Sequence, residues 1–438
     1  MGESLLSARK KGPAAGERVG FTRTVEGLLC DAVPLERIAR ECGTPVYVYS
    51  AGAIRAQYAR LEAALGGLSH RLHYSVKANS SLAVLRLLRA LGAGLDIVSG
   101  GELYRALAAG FSGEDIVFSG VGKTEQEMEE ALRARVLLFN VESEQELQVL
   151  SAVAKRLGIA ASVALRVNPE VMVDTPHPYT RTGGKGMKFG IPFDEVLAVS
   201  RAAAALDNIE LIGLDMHVGS QISQLAPYEV GLQRLLHLRR EIERAGDITL
   251  RYLDMGGGLA VAYESDDAID VEAFGAAIAG LLAPERLQVL LEPGRFIVGN
   301  AGALLTRVLY RKRSGGKNFV ITDAGMNDLL RPSHYNAYHR IEAVNQIGVS
   351  TIADVVGPVC ESGDFLALDR QIDDVVRGDL LAVHSAGAYG FVMASNYNSR
   401  PRPPEVLVDG AKYEVITKRE SYEDLIRAES RHAPEREE

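Results

Sequence analysis

"HYSVKANSSLAVLRLL" (73–88) starts as a strand and runs directly into an amphipathic helix, and at the strand's end stands Lys77. A buried ammonium without a partner is costly, and in such a place the group tends to lose its proton. Lys77 is therefore a solvated charge at a turn or an amine kept neutral so that it can react. The strand–helix unit then repeats. "GLDIVS" (94–99), "DIVFSG" (115–120), "VLLFNVE" (136–142), "SVALRVN" (162–168), "LIGLDMHVG" (211–219), "LRYLDMGGG" (250–258) and "LQVLLEPG" (287–294) are each a short apolar run ending in glycine or polar residues. Helical stretches lie between them, such as 143–158, which closes on Gly158. With the first, these runs make eight units, and they predict an α/β fold with a closed (β/α)8 TIM barrel over 46–299. An open doubly wound sheet is the alternative.

After residue 300 the period changes to two. "ALLTRVLYRK" and "NFVITDAG" flank a turn at "RSGG", and "PEVLVDGAKYEVI" reads as a hairpin turning on Asp409-Gly410. A second, mostly antiparallel β domain is expected over 300–420, joined by the N-terminal segment 22–45. Residues 1–21 are expected to be a flexible tail and 421–438 a charged helix and tail.

The 438 residues are 47% hydrophobic and 24% charged, which is the balance of an ordinary globular protein. A net charge of -9 with no basic stripe argues against nucleic acid as a partner. No apolar run is long enough for a bilayer, and the N-terminus lacks the apolar core of a signal peptide. Cys30, Cys42 and Cys360 have no metal-ligand spacing and form no even framework, so free thiols in a cytoplasmic protein without a metal site are expected.

Barrel enzymes carry their chemistry at the carboxyl ends of the strands. Those ends hold Lys77, Asp96 with Ser99, Ser119, Asn140, Arg166 with Asn168, His217 with Ser220, Gly256-Gly257-Gly258, and Glu292-Pro293-Gly294-Arg295. Singly, each has a plain reading. A triple glycine makes tight turns, a lone histidine is usually structural, and Glu292 could simply pair with Arg295. Together they suit pyridoxal 5'-phosphate. Backbone N–H groups of the glycines and Ser220 would hold the phosphate, and His217 would lie against the flat ring. Glu292 would hold a proton on the ring nitrogen, and Lys77 would be the amine that bonds the cofactor.

"YSVKAN" (74–79), "HVGSQ" (217–221), "DMGGGL" (254–259), "EPGR" (292–295), "RPSHYNAYH" (331–339), "GPVCESGD" (357–364) and "GAYG" (387–390) resemble the diaminopimelate decarboxylases of the alanine-racemase-like, fold-type III pyridoxal-phosphate group. The resemblance runs from about residue 25 to 420 with the motifs in order. It implies a barrel plus a β domain, and a homodimer whose two sites share residues. On this sequence it implies Lys77 bonding the cofactor and His217 stacking on it. Asp96 joins the cofactor-binding set, and Glu292 faces the ring nitrogen. Ser220, Gly256, Gly257, Gly258, Gly294 and Arg295 hold phosphate, helped by Tyr389. Cys360 becomes a proton donor delivered by the other subunit.

Substrate choice follows from charge. A diamine-forming decarboxylase holds only a distal ammonium, whereas meso-diaminopimelate presents a distal ammonium and a distal carboxylate. The sequence supplies both partners on the family's pattern, with Arg295, Arg331 and Tyr335 for the carboxylate, Glu361 for the ammonium and Tyr389 alongside. The expected reaction is decarboxylation to L-lysine, the last step of lysine biosynthesis. Alternatives are an ornithine, arginine or lysine decarboxylase on the same scaffold, or a cofactor carrier without turnover. Two departures from the family stand out: "AVAY" (260–263) replaces Gly-Ile-Pro-Tyr, and Asp215 stands where an uncharged residue is usual. The Gly/Pro-rich 171–190 reads as a lid or as a plain connection.

Overall fold

The computed structural model describes residues 20–429 except 174, 176, 181, 182, 247, 264–267, 346 and 347. The expected N-terminal tail therefore lies almost entirely outside the described residues, as does the chain beyond 429. Eight strands form the barrel: β1 (His70–Ser75), β2 (Gly94–Ile97), β3 (Ile116–Phe118), β4 (Leu138–Val141), β5 (Ala161–Asn168), β6 (Ile209–Met216), β7 (Tyr252–Asp254) and β8 (Gln288–Leu291). Every neighbouring pair is parallel, and β8 returns to β1 through Val289 opposite His70, so the sheet closes. Its strands are apolar along most of their length because helices cover one face and the barrel core fills the other.

Helices follow β1 to β7 in turn: Leu82–Ala90, Gly100–Ala108, Glu125–Ala134, Glu144–Leu157, Val196–Ala204, Ala226–Ala245 and Val271–Leu282. Their starts were written locally. Ser99, Thr124, Ser143 and Asp270 each accept a hydrogen bond from the backbone N–H three residues on. Gly158 ends the helix 144–157 with φ +65°, a left-handed conformation natural to glycine. After β8 there is only a four-residue turn, Arg295–Val298. The eighth helical position is filled by Ala51–Ala64, which precedes β1 and packs against the helices 82–90 and 271–282.

The β region is a mixed sheet built on the long strand Gly302–Ser314. In order it runs Phe365–Asp373, Ser350–Val356, Lys317–Thr322, Gly302–Ser314, Val46–Ser50, Glu405–Asp409 and Lys412–Thr417, with Ile341–Ala343 and Leu380–Val383 attached. Two of these pairings are parallel and the others antiparallel. Val46–Ser50, which the sequence reading counted with the barrel, lies in this sheet instead. Its alternation explains the placement: Tyr47 and Tyr49 enter one apolar cluster, Val46 and Val48 another on the opposite face. The second cluster also takes Phe21, Leu28, Leu35 and Ile38 from the small sheet and helix spanning 21–42. The final hairpin pairs Asp409 with Lys412, so Gly410-Ala411 make its loop rather than Asp409-Gly410. Gly410 has φ +60°. The charged C-terminal stretch contributes one helical turn, Tyr422–Leu425. Among the described residues no helix is long and apolar enough to cross a membrane.

Candidate active site

β1 delivers Lys77 to the barrel mouth through a single helical turn, Val76–Ala78. Its Nζ lies 2.7 Å from Oδ2 of Asp96, at the end of β2 and fully buried. The hydroxyl of Ser75 reaches the same oxygen at 2.8 Å. One pocket is lined by Ser75, Lys77, His217, Ser220, Gly258, Leu259, Glu292, Gly294, Arg295, Phe296 and Tyr389. Eight of the site residues chosen from the sequence thus meet in one place.

The structure gives Lys77 an acidic partner that neither sequence reading supplied. Burial works against the ammonium, but Asp96, Glu292 and Tyr389 together outweigh it and hold Lys77 above the usual lysine range. The amine rests as a cation, paired by a residue nineteen positions on. His217 is the opposite case, because burial, Arg166 and Lys77 all push it well below the usual imidazole range. Its ring is neutral, and Nδ1 accepts the Gly257 N–H at 3.1 Å, which leaves the hydrogen on Nε2.

Glu292 does not pair with Arg295. Its Oε1 accepts from Ser119 Oγ at 3.1 Å and Asn140 Nδ2 at 3.3 Å, and burial together with Asp254 and Asp96 raises its carboxyl well above the carboxylate range. Asp215, Asp254 and Glu292 bring carboxylate oxygens within 4.8 Å of one another. Burial and Asp215 push Asp254 up to about 8. Burial and Glu292 raise Asp215 also, against the pull of Arg166. Acids crowded this closely share protons because they cannot all ionise. Asp215, unexplained by the sequence, faces Arg166 at 3.6 Å, and Arg166 also binds Glu142 at 2.7 Å.

The glycines are fixed by space. A Cβ on Gly257 would fall 2.2 Å from the Glu292 carbonyl oxygen, and one on Gly258 would fall 2.2 Å from that of Gly219. Gly256 and Gly258 have φ of +64° and +96°. Arg295 is almost fully buried and donates to Tyr263 Oη at 2.6 Å and to Ser220 Oγ at 3.2 Å, with its guanidinium 4.9 Å from the Tyr389 ring centre. Arg331 donates to the same Tyr263 oxygen at 3.1 Å, and its guanidinium lies 5.8 Å from the Tyr335 ring. Described residues of the 171–190 segment reach this point too, where His177 packs edge-on against Tyr335 at 5.6 Å.

Cys360 and Glu361 do not line the pocket; they are exposed and held by a neighbouring loop. Asn398 Oδ1 accepts the Cys360 N–H at 3.0 Å, and Tyr397 donates to Glu361 at 2.9 Å. Tyr263 was missed as a site residue although it stands in the quoted "AVAY". In the sequence Ser119 and Asn140 are only polar strand ends, and their convergence on Glu292 appears once the barrel closes. The residues present suit pyridoxal phosphate: a pocket with a lysine amine, a glycine backbone no Cβ can enter, and a buried acid carrying a proton.

A family model described as the pyridoxal binding domain of pyridoxal-dependent decarboxylases matches residues 51–299. A diaminopimelate decarboxylase of Pseudomonas aeruginosa is 50% identical over 404 residues, covering 92% of this chain and 97% of its own. One from Neisseria meningitidis serogroup A is 49% identical over 397 residues, covering 90% of this chain and 97% of its own. The crystal structure of the Helicobacter pylori diaminopimelate decarboxylase complexed with L-lysine superposes with TM-score 0.86 at 40% identity, covering 90% of this chain and 98% of that one. That of M. jannaschii gives 0.89 at 34% identity, covering 94% and 97%. Sequence identity and fold both agree over about nine-tenths of the chain, and the chain belongs to the diaminopimelate decarboxylase family of pyridoxal-dependent enzymes.

Proposed function

We propose that this chain removes one carboxylate of meso-2,6-diaminopimelate as carbon dioxide, adds a proton in its place and releases L-lysine, the closing step of lysine biosynthesis. Pyridoxal phosphate, when bound, supplies an aldehyde for the amine and a conjugated ring that accepts the electron pair left by carbon dioxide. Lys77 is the amine that holds it. Nζ sheds its proton before bonding, and Asp96 Oδ2 at 2.7 Å is the base in contact. Ser119 and Asn140 saturate Oε1 of Glu292, so the proton of that acid sits on Oε2, available to a ring nitrogen. The neutral His217 offers a flat face with no charge to oppose a protonated ring. Ser220, the backbone of Gly256, Gly257 and Gly258, and the Gly294–Arg295 backbone hold the phosphate, with Tyr389 beside it.

Arg295, Arg331 and Tyr335 take the distal carboxylate and Glu361 the distal ammonium. Cys360 Sγ carries the proton that replaces the lost carboxylate. Cys360 and Glu361 lie outside the lysine pocket of their own chain, which supports a homodimer in which each copy completes its neighbour's site. Free thiols and the biosynthetic role favour the cytoplasm. One observation carries the choice of substrate: two buried arginines share one oxygen at the edge of the lysine pocket. Arginines there suit a second carboxylate and would repel the tail of ornithine or lysine. Carbon dioxide release from meso-diaminopimelate, L-ornithine, L-arginine and L-lysine tests this. Turnover of meso-diaminopimelate alone is expected, and a preference for ornithine would sink the proposal.

A further inference from the structure

Two guanidinium groups as close as those of Arg295 and Arg331 repel each other, and burial strengthens the repulsion. Something must hold them together before substrate arrives. Both donate to one atom, the phenol oxygen of Tyr263, at 2.6 and 3.1 Å. The tyrosine is itself braced: its ring packs edge-on against His339 at 5.5 Å. Nδ1 of His339 lies 2.8 Å from the His384 carbonyl oxygen and so carries the hydrogen, which leaves Nε2 to accept from Arg331 Nε at 3.4 Å. Arg295 is gripped by Ser220 and the Tyr389 ring. Its Nε is buried and, among the described residues, has no hydrogen-bond partner.

We infer that Tyr263 is a positioning residue of the distal-carboxylate subsite: its oxygen sets the spacing of Arg295 and Arg331 and thereby the selectivity for a substrate with a second carboxylate. The inference rests on the substrate reading above. Burial by itself would raise the phenol, but Arg295 and Arg331 outweigh it and hold Tyr263 below the usual tyrosine range. Its oxygen serves as a placeholder for a carboxylate oxygen, keeping both cations poised at the cost of little reorganisation when the ligand binds.

Tyr263→Phe keeps the ring and removes the oxygen. In the holoenzyme the KM for meso-diaminopimelate should rise about tenfold while kcat changes much less, as for the loss of one hydrogen bond to a charged group outside the reacting centre. A structural role could produce that alone, so two inhibitors separate the cases. L-Lysine keeps a carboxylate and should bind more weakly by a similar factor, whereas 1,5-diaminopentane has none and should bind unchanged. Equal weakening of both inhibitors, or an unchanged KM, overturns the role of Tyr263. Arg331→Ala is run beside it. If that variant also shows a normal KM, the carboxylate subsite itself is refuted; if its KM rises while Tyr263→Phe is normal, only the present inference fails.

Discussion

Lys77 shows how far a residue type and a position can be read without a fold. A lysine at a strand's end pointed to a reactive amine, but its charge state depended on Asp96, placed opposite it by the β1–β2 pairing. Replacing Asp96 by Asn removes the strongest support for the ammonium while burial still opposes it. The pH midpoint for capture of pyridoxal phosphate by the ligand-free Asp96→Asn protein, read by borohydride trapping at Lys77, should therefore move downward. An upward shift would show that Asp96 does not hold the charge. The acid cluster gives a prediction of opposite sense. A carboxyl raised to about 8, as at Asp254, stabilises the fold while it keeps its proton. That contribution is complete below the ordinary carboxylate pKa and fades as pH climbs through the folded value. Tm of the ligand-free protein should fall between about pH 4 and about pH 8, and Asp254→Asn should flatten that decline. Arg166→Leu leaves Glu142 and Asp215 buried without their cation, and about 3 kcal/mol of stability should go, measured by denaturant midpoint.

At the scale of elements, the helices announced themselves through caps a few residues long, as at Thr124 with Glu127 and at Ser143 with Gly158. What no local signal carried was which helix closes the ring. Ala51–Ala64 fills the place after β8 although it comes before β1, because Arg295–Val298 is too short to cover that face. Gly275 marks the contact. A Cβ there would fall 2.1 Å from the Ala64 carbonyl oxygen, so Gly275→Ala must push the two helices apart. A loss of about 1–3 kcal/mol is expected from overpacking, against any small gain in helix propensity. Unchanged unfolding would mean the helices are not seated this closely. Val46–Ser50 teaches the same lesson in the sheet. A run buried at every position fits a barrel strand and a central sheet strand equally, and only the two opposed clusters decide between them.

For the whole molecule, the testable claim is that one chain does not contain a complete site. Mixing Lys77→Ala with Cys360→Ala, each inactive, should restore activity on subunit exchange, to about a quarter of wild type if the copies pair at random about a two-fold axis. No recovery, with exchange shown by a tagged subunit, would count against shared sites. The sequence by itself determined the barrel, the β region and the pyridoxal chemistry. Strand periodicity, glycine turns and strand-end residues are local properties that survive being read one segment at a time. Tertiary structure alone decided the charge on Lys77, the protons shared among Asp215, Asp254 and Glu292, and the meeting of Arg295 and Arg331 on Tyr263. Those depend on distances between residues far apart in the chain, and electrostatic energy is set by distance and burial, neither of which a linear order of residues contains.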